Sequence, residues 1–270
     1  MDGSSLITRR AAMAGAAGLG AGFGLVGCGP GGGEPIVAKQ ARPAGPPRRG
    51  GRIRVAGISS STADTLDPAK GSLSTDYVRH NMFYSGLTQF DERLTPQPAL
   101  AEAIESTDRA VWTIRLRKGV EFHDGSSLTA DDVVYSLLRH KEPGLGSKVK
   151  SIADQIVEAR TAGPFEVQVR LSGPNADFPA ILATSHFLIV KDGTSDFRAA
   201  NGCGPFRLKA FQPGVRTVAV RNGNYWKDGR PYLDEIELVG IPDEVARVNA
   251  LLSGDIHLAN AVSPLSTRRL

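Results

Sequence analysis

The sequence predicts a mixed α/β or α+β fold, because short segments of alternating polarity are interspersed with segments that repeat at the helical period. The chain has 270 residues, of which 41% are hydrophobic and 22% charged, so it can bury the core of one large domain or two ordinary ones. Strands and helices do not alternate strictly, and no internal repeat occurs. Repeat architectures and wholesale disorder are therefore excluded.

The first half of the body contains two predicted strands and a predicted helix. Residues 52–56 alternate in polarity and predict a strand. A turn predicted at residues 65–68 ends this segment. Residues 75–87 carry apolar side chains near helical spacing, with an aspartate in the first turn, and predict a helix. Residues 111–117 predict a second strand with one apolar face, formed by Trp112, Ile114 and Leu116.

The clearest helix start follows a turn predicted at residues 123–126. Thr129 and Asp132 resemble a capping box in which Asp replaces the usual Glu. The apolar residues that follow lie on one helical face: Val133, Val134, Leu137 and Leu138.

The second half contains further strands and one more helix. Alternation predicts strands at residues 165–171, 187–191, 206–211, 216–221 and 236–240. The turn at residues 212–214 makes a hairpin of the third and fourth of these strands. Asp243 caps a helix that Gly254 ends, and its predicted apolar face contains Val245, Val248, Leu251 and Leu252.

The first 27 residues have the composition of an export signal. Arg9 and Arg10 precede residues 11–27, an uncharged Ala/Gly-rich run that is short and weakly apolar for a membrane span. The arginine pair resembles a twin-arginine signal, although the bulky apolar pair expected after it is absent. Leu25 to Cys28 resembles a bacterial lipobox, so we predict lipid attachment at Cys28 and a lipid-anchored, extracytoplasmic protein. The alternatives are an ordinary signal peptide with a chance cysteine and an uncleaved anchor.

Residues 28–50 are rich in Gly and Pro and predict a tether between the anchor and the body. We interpret this tether as solvated; alternatively, its basic residues lie along anionic lipid headgroups. The net charge of +4 lies entirely in the first 50 residues, so residues 51–270 are neutral. A basic nucleic-acid-binding face is therefore excluded.

No catalytic or metal-binding motif occurs, and neither a cofactor nor a metal site is predicted. We interpret His123 and Asp124 as a turn rather than half of a catalytic pair. Asp131 and Asp132 suit the dipole of a helix start better than a cation site.

Two further features have a structural and a functional interpretation. Cys203 lies in a Gly-Cys-Gly-Pro turn, which favours a packed small residue over a reactive thiol. The neighbours of Tyr225 and Trp226 favour a place in the core over a stacking platform for a ligand.

Several blocks spread over residues 50–262 together resemble the bacterial solute-binding proteins of family 5, which serve oligopeptide, dipeptide and nickel ABC importers. The most specific block is LTADDVVYS, residues 128–136. The others are RGGRIRVA at 49–56, TLDP at 65–68, WTIRLRKGVEFHDG at 112–125, GCGPF at 202–206, NYW at 224–226 and RVNALLSGDI at 247–256. Cys203 departs from the family, which usually has Thr or Ser in that turn.

The resemblance implies a fold like that of type II periplasmic binding proteins, with a first lobe, an inserted subdomain and a second lobe. The implied boundaries are a signal at 1–27, a tether at 28–50, the first lobe at 51–90 and 200–262, and the inserted subdomain at 91–199. Residues 263–270 would begin the crossover to the second lobe. We therefore expect this chain to lack the second lobe.

The resemblance also implies a function in binding rather than catalysis. The loop Gly71-Ser72-Leu73-Ser74 is expected to face the ligand cleft, where it can pair with an extended peptide backbone. Peptides are the expected ligands, an ABC permease and the membrane are the expected partners, and nucleic acid is not expected. The alternatives are a binder of nickel chelates or sugars, a sensor or surface lipoprotein with the same lobe, and a hydrolase that uses His123 and Asp124.

Overall fold

Two main sheets organise the part of the chain that the computed structural model describes, residues 45–58 and 61–267. The strands are β1 (Arg52–Gly57), β2 (Thr88–Phe90), β3 (Pro96–Pro98), β4 (Ala101–Glu105), β5 (Val111–Leu116), β6 (Ile156–Gly163), β7 (Glu166–Leu171), β8 (Phe206–Gln212), β9 (Arg216–Arg221), β10 (Glu235–Gly240) and β11 (Leu258–Ala259). The helices are α1 (Ser74–Phe83), α2 (Ala130–Leu138), α3 (Lys150–Ala153), α4 (Phe178–Ile181), α5 (Glu244–Leu252) and α6 (Pro264–Thr267). Short 3₁₀ helices span Pro68–Lys70 and Arg139–Lys141. The predictions for Arg9, Arg10 and Cys28 lie outside the described residues.

The first sheet is mixed and has the strand order β11-β1-β10-β9-β8. β1 runs parallel to both β10 and β11, whereas β10, β9 and β8 are antiparallel. The strands come from both ends of the described chain, and α1 packs on the sheet against β8 and β10. The apolar cluster between them includes Met82, Phe83, Phe206 and Ala219.

The second sheet is antiparallel, with the order β4-β5-β7-β6. Trp112, Ile114 and Leu116 are buried on one face of β5, as the alternation predicts. α2 packs against β6 and β7 and starts at the predicted capping box, in which the Asp132 carboxylate accepts bonds from the amide and hydroxyl of Thr129. The larger apolar cluster of the molecule lies here.

Two predicted elements are wrong in part. The helix predicted at 75–87 ends at Phe83, because the backbone of Tyr84 is extended. The residues that follow cross between the two cores, and the Gly86 carbonyl accepts a hydrogen bond from the Leu100 amide. The strand predicted at 187–191 has a single bridge, Leu188 to Gly86. Its alternation fails because Phe187 to Val190 are all buried, as expected for a segment covered on both sides.

The apolar face predicted for the last helix is also wrong in part. Val248 is completely buried, but Val245 and Leu252 are more than half exposed. The other buried residue of α5 is Arg247, whose role is described below.

Candidate functional site

The carboxyl ends of three parallel strands meet at one edge of the mixed sheet. The Ile58 amide donates to the Asn260 side-chain oxygen (3.1 Å), and the Asn260 amide donates to the Ala56 carbonyl (3.2 Å). On the other side of β1, the Ile241 amide donates to the Gly57 carbonyl (3.0 Å). In open α/β sheets, ligands bind outside the carboxyl ends of the strands. We call the ends of β1, β10 and β11 the carboxyl edge.

Arg247 on α5 fixes the loops that follow β10 and β11. Its side chain is buried, and one terminal nitrogen donates to the carbonyls of Ile241 (2.8 Å) and Pro242 (2.7 Å). The other terminal nitrogen donates to the carbonyl of Ala261 (3.0 Å), a residue with a φ of 49°. A guanidinium suits this task because its fork of donors serves several carbonyls at once. The carboxyl edge is therefore a rigid surface.

The predicted ligand loop, residues 71–74, leads into α1, whose first residue is Ser74, and borders this edge. Gly57 at the end of β1 lies so close to α1 that a Cβ there would come within 2.1 Å of Thr75 Cγ2. Only glycine permits this approach of the strand end to the helix start. The structure thus places the loop beside the carboxyl edge.

Several backbone groups of the loop already have partners within the chain. The Asp76 carboxylate accepts the amides of Ser72 and Leu73, both at 3.1 Å, and the Gly71 carbonyl lies 3.1 Å from His186 Nε2. The Leu73 carbonyl accepts the amides of Asp76 and Tyr77, at 2.9 and 3.2 Å. Pairing of these groups with an extended peptide would require their internal bonds to open. The exposed hydroxyl of Ser72 donates to the Lys70 carbonyl (3.3 Å), so it can accept a hydrogen bond from a ligand without that change.

A buried ionic network lies beneath the loop. Arg79 binds Asp76 (2.5 Å), Asp64 (2.9 Å) and the hydroxyl of Thr217 on β9 (2.9 Å). Burial raises the pKa of Asp76, but the amides of Ser72, Leu73 and Thr65 and the charge of Arg79 together lower it below its usual value. These bonds tie the loop and α1 to the sheet.

A second buried pair ties the turn before the loop to α2. Arg139 donates to both carboxylate oxygens of Asp67, at 2.9 and 3.0 Å. Asp67 also caps the following 3₁₀ turn through the Ala69 amide (3.0 Å). This bidentate geometry is the strong form of a charged hydrogen bond. The segment from Asp64 to Ser74 is thus held at both ends.

Two buried histidines lie close to the same segment. His80 Nε2 lies 3.0 Å from the Thr65 carbonyl, and His140 Nδ1 lies 2.8 Å from the Ser147 hydroxyl. Burial lowers the pKa of each imidazole to about 4, so both are neutral at pH 7. They add no charge near the carboxyl edge at that pH.

His123 and Asp124 do not form a catalytic pair. His123 is buried, with Nδ1 3.2 Å from the Ala200 carbonyl and 3.4 Å from the Gly202 amide, and with Nε2 3.1 Å from the Gly204 carbonyl. Asp124 instead accepts from Ser126, Lys191 and Asn201. Its pKa is lowered well below the usual value, since these bonds outweigh the opposing effect of burial. Both residues therefore stabilise a turn.

Asp132 and Cys203 also have structural roles. Besides its capping bonds, Asp132 accepts the Asp192 amide (2.8 Å). Cys203 is buried, and this burial raises the pKa of its thiol, which disfavours the reactive thiolate. Gly204 beside it is pressed against α1, where a Cβ would come within 2.3 Å of the Phe83 carbonyl carbon.

Tyr225 and Trp226 are half-buried. Trp226 packs against the larger core, as predicted, but both rings also line a cavity of about 390 Å³. Across residues 45–58 and 61–267, no cluster of three or more His, Cys, Asp or Glu side chains could hold a metal ion. Over the same residues, none of the helices has the length and apolar character needed to cross a bilayer.

Sequence patterns did not indicate Arg247, Asn260 or the Arg79 network as parts of this site. Arg247 belongs to the family-like block at 247–256, but its burial depends on carbonyls contributed by two distant loops. Asn260 lies beyond that block. A motif can mark such residues without showing what they contact.

Comparison with known proteins places this architecture among the type II periplasmic binding proteins. The structure of the oligopeptide-binding protein AppA from Bacillus subtilis in complex with a nonapeptide matches with a TM-score of 0.70 and 29% identity, over 78% of this chain and 44% of AppA. A nickel ABC transporter protein from Bacillus halodurans matches with a TM-score of 0.71 and 30% identity, over 81% of this chain and 44% of its own. DppA from Helicobacter pylori, an ABC transporter-associated periplasmic binding protein in complex with the peptide STSA, matches with a TM-score of 0.73 and 26% identity, over 83% and 49%.

The sequence comparison identifies the family. A model described as "Bacterial extracellular solute-binding proteins, family 5 Middle" matches residues 95–270, and this chain belongs to that family. The Bacillus subtilis oligopeptide-binding protein AppA is 31% identical over 230 residues, which are 80% of this chain and 42% of AppA. The chain thus spans less than half the length of the relatives that it matches. These relatives are named as an oligopeptide-binding protein, an ABC transporter-associated periplasmic binding protein and a nickel ABC transporter.

Proposed function

We propose that the chain forms part of the extracytoplasmic receptor of a bacterial ABC importer and that its ligands are peptides. The observation that carries the proposal is the carboxyl edge, where three parallel strands end beside the start of α1 in a chain of this family. Two relatives with 29% and 26% identity have structures with bound peptides, which favours peptides among the solutes that the family takes.

The chemistry of the edge suits ligands of varied sequence. It presents the side-chain amide nitrogen of Asn260 and the hydroxyl oxygen of Ser72, and the apolar side chains of Ile58, Val245 and Leu258 are exposed. Every peptide offers the same backbone donors and acceptors, so contacts of this kind tolerate sequence variation. Loop residues 71–74 contribute to the ligand surface in this proposal, with Ser72 making a side-chain contact.

The two sheets support the proposed boundaries of the lobes. The mixed sheet draws its strands from residues 52–57 and 206–259, which supports one lobe built from 51–90 and 200–262. The antiparallel sheet lies entirely within 101–171, which supports an inserted subdomain at 91–199. A cleft between lobes has two walls, and the carboxyl edge forms one of them.

Binding to this chain alone is therefore expected to be weak. If two walls contributed equally to a total of about −8 kcal/mol, a micromolar affinity, one wall would supply about −4 kcal/mol, which is millimolar. Open surfaces also leave ligand and protein groups hydrogen-bonded to water, which lowers affinity further.

Amide NMR spectra measured during a titration with tri- to pentapeptides test this proposal at millimolar affinity. Saturable shifts are expected for residues 57–58, 71–75, 241–243 and 260–261. Ser72→Ala is expected to weaken binding about threefold, the loss of one modest hydrogen bond. Ser127→Ala, at an exposed serine in another turn, is the matched control and should change nothing. Absent shifts, or shifts confined to other surfaces, would reject peptide binding at this edge.

The same titration with a nickel chelate tests the alternative that a nickel relative at 30% identity favours. Chelate binding at the carboxyl edge without peptide binding would change the substrate class while retaining the site. Chelate binding is expected to be absent, because the described residues hold no cluster of metal ligands.

The proposal includes export and anchoring through the N-terminal segment. Support comes from the Arg9-Arg10 pair and from the lipobox-like residues before Cys28. Mass spectrometry of the membrane fraction is expected to show an acylated N-terminal Cys28. An unmodified Cys28 in a chain that starts elsewhere would reject lipidation, and unchanged export after Arg9→Lys with Arg10→Lys would reject the twin-arginine route.

A further inference from the structure

The cavity lined by Tyr225 and Trp226 lies apart from the residues of the carboxyl edge. Its volume is about 390 Å³, within the range of small-molecule sites. It is enclosed by β2, the segment at 183–188 and the Tyr225–Trp226 pair. None of the carboxyl-edge residues or loop residues 71–74 lines it. Nothing in the proposed transport function uses this cavity.

Aromatic rings form much of its wall. Tyr84, Phe90, Tyr225 and Trp226 all line it, and the last two rings lie 5.5 Å apart at 58°. The Trp226 indole N–H donates to the Ser85 hydroxyl (3.3 Å), which in turn donates to the Cys203 carbonyl (3.0 Å). This chain of bonds fixes the indole in place. A planar apolar group would find preformed ring surfaces here.

Two cations lie against the Trp226 ring, which lines the cavity, although neither cation is itself a lining residue. Lys227 Nζ lies 4.8 Å and Arg117 Cζ 5.2 Å from the centre of the Trp226 ring. Lys227 also donates to the side-chain oxygen of Gln89 (2.5 Å), which lines the cavity. Arg117 approaches one carboxylate, the exposed Glu102, only at 4.0 Å.

The charge of Lys227 is poorly compensated. Burial lowers its pKa, and repulsion by Arg230 and Arg117 lowers it further. Within the described part of the chain, Lys227 forms no salt bridge, and its partners are an amide oxygen and an aromatic ring. Cation–π contacts stabilise such a group but leave its charge in place. An anion within reach of Lys227 Nζ would supply the opposite charge that this lysine lacks.

We infer that this cavity binds a small aromatic carboxylate. The ring of the ligand lies among the aromatic walls, and its carboxylate replaces Gln89 as the acceptor of Lys227. The mixed character of the cavity selects for this class: a simple inorganic anion would leave the aromatic walls empty, and a neutral ring would leave the cations unpaired.

Calorimetric titration of the full chain with matched ligand pairs tests this site. The probes are phenylacetate and indole-3-acetate, each compared with its neutral amide. One-site saturable binding is expected for at least one acid, with the corresponding amide at least tenfold weaker. An excess of tripeptide should leave this binding unchanged, because the peptide is proposed to bind at the carboxyl edge.

Three variants locate the binding. Lys227→Gln should weaken binding of the acid at least fivefold. Lys209→Gln, at an exposed lysine of β8 that pairs with Glu235 on β10, should leave binding unchanged. Ala183→Phe fills the cavity from a half-buried wall position without removing a charge, and should abolish binding while the thermal midpoint stays near that of the parent. The inference fails if neither acid binds, if acid and amide bind equally, if Ala183→Phe binds normally or if tripeptide competes. None of these results depends on whether peptides bind at the edge.

Discussion

The two sheets of this molecule are stabilised by different kinds of interaction. The antiparallel sheet packs α2 and its own apolar faces into the larger core, with Trp112, Ile114 and Val167 buried at its centre. The mixed sheet has a smaller apolar cluster and many buried charges around it. The Arg79 network, Glu237 between the arginines of β1 and β9, and Arg247 on α5 all belong to this second region.

Chain connectivity explains the difference. The antiparallel sheet forms from one continuous stretch, 101–171, whose strands pair with close neighbours, so apolar burial suffices to assemble it. The mixed sheet joins segments that lie about 200 residues apart, and its loops must be fixed precisely to form the carboxyl edge. Buried ion pairs add little net stability, but breaking one is costly. In this region we infer that they fix loop positions.

The largest expected effect comes from breaking the charge network. Arg79→Met leaves Asp64 and Asp76 buried without their cation, and we expect a loss of about 5 kcal/mol in the free energy of unfolding, measured by chemical denaturation. The matched control is Arg115→Met on the antiparallel sheet, whose pair with Glu105 is about half exposed on both sides. That control should cost no more than about 1 kcal/mol. Similar losses in both variants would remove the distinction between the regions.

The corresponding change in the apolar region is Trp112→Ala. Trp112 is 7% exposed, packs 5.6 Å from the Phe178 ring and donates its indole N–H to the Arg109 carbonyl. Removing it should cost about 4 kcal/mol through lost burial and a cavity. Val157→Ala, on the exposed face of β6 in the same sheet, should stay within about 0.5 kcal/mol of the parent. An unfolding midpoint for Trp112→Ala equal to that of the parent would contradict the assignment of this core.

Local sequence patterns predicted the antiparallel region well, with informative exceptions. β5 and β7 alternate strictly because they are the central strands and pack one face on the core. β4 and β6 were not predicted. Both are edge strands in which exposed polar residues interrupt the alternation, so the period-two signal is lost. Sequence patterns predict a strand well where it has one solvent-exposed face and one buried face.

The carboxyl edge could not be predicted from local patterns. It requires β11 and β10 to lie on either side of β1, an order that brings Asn260 and Ile241 to Gly57 and that no short window of sequence contains. Asp76 and Arg79 on α1 are both buried, and no local pattern distinguishes them from exposed charges on a helix. The loop at 71–74 was identified through the family resemblance, which carries information from a whole fold.

The pH dependence of unfolding tests both regions at once, because the buried His80 lies in the mixed-sheet region and the buried His140 beside the larger core. Each ring is neutral in the fold down to about pH 4 but binds a proton in the unfolded chain below about pH 6.5. The unfolded state therefore binds more protons in this window, and the free energy of unfolding falls as the pH falls. Between pH 7 and 5 we expect a loss of about 2 kcal/mol for each histidine, from the linkage of these values.

Single variants assign this pH dependence. His80→Gln in the mixed-sheet region and His140→Gln beside Phe187 should each reduce the loss between pH 7 and 5 by about 2 kcal/mol, measured by denaturation at both pH values. A profile that keeps its full slope in both variants would show that other groups, such as the carboxylates or the buried His123, govern acid stability instead of these imidazoles.

The smallest expected effect compares the starts of two helices. α5 in the mixed-sheet region is capped by the exposed Asp243, which accepts the Ala246 amide at 2.7 Å. Asp243→Ala leaves that amide to water, so we expect a loss of about 1 kcal/mol, and Asp243→Ser should restore most of it because serine is also a good cap. In α2, Asp132 is buried and also accepts a hydrogen bond from the Asp192 amide, so Asp132→Ala should cost about 2 kcal/mol.

Hydrogen exchange locates the effect of Asp243→Ala: the amides at 244–248 should exchange faster in this variant, while those of α2 stay protected. Because Arg247 lies in that first turn, faster exchange would also spread to the loops at 241–242 and 261, and protection there equal to the parent would show that the carboxyl edge does not depend on the cap.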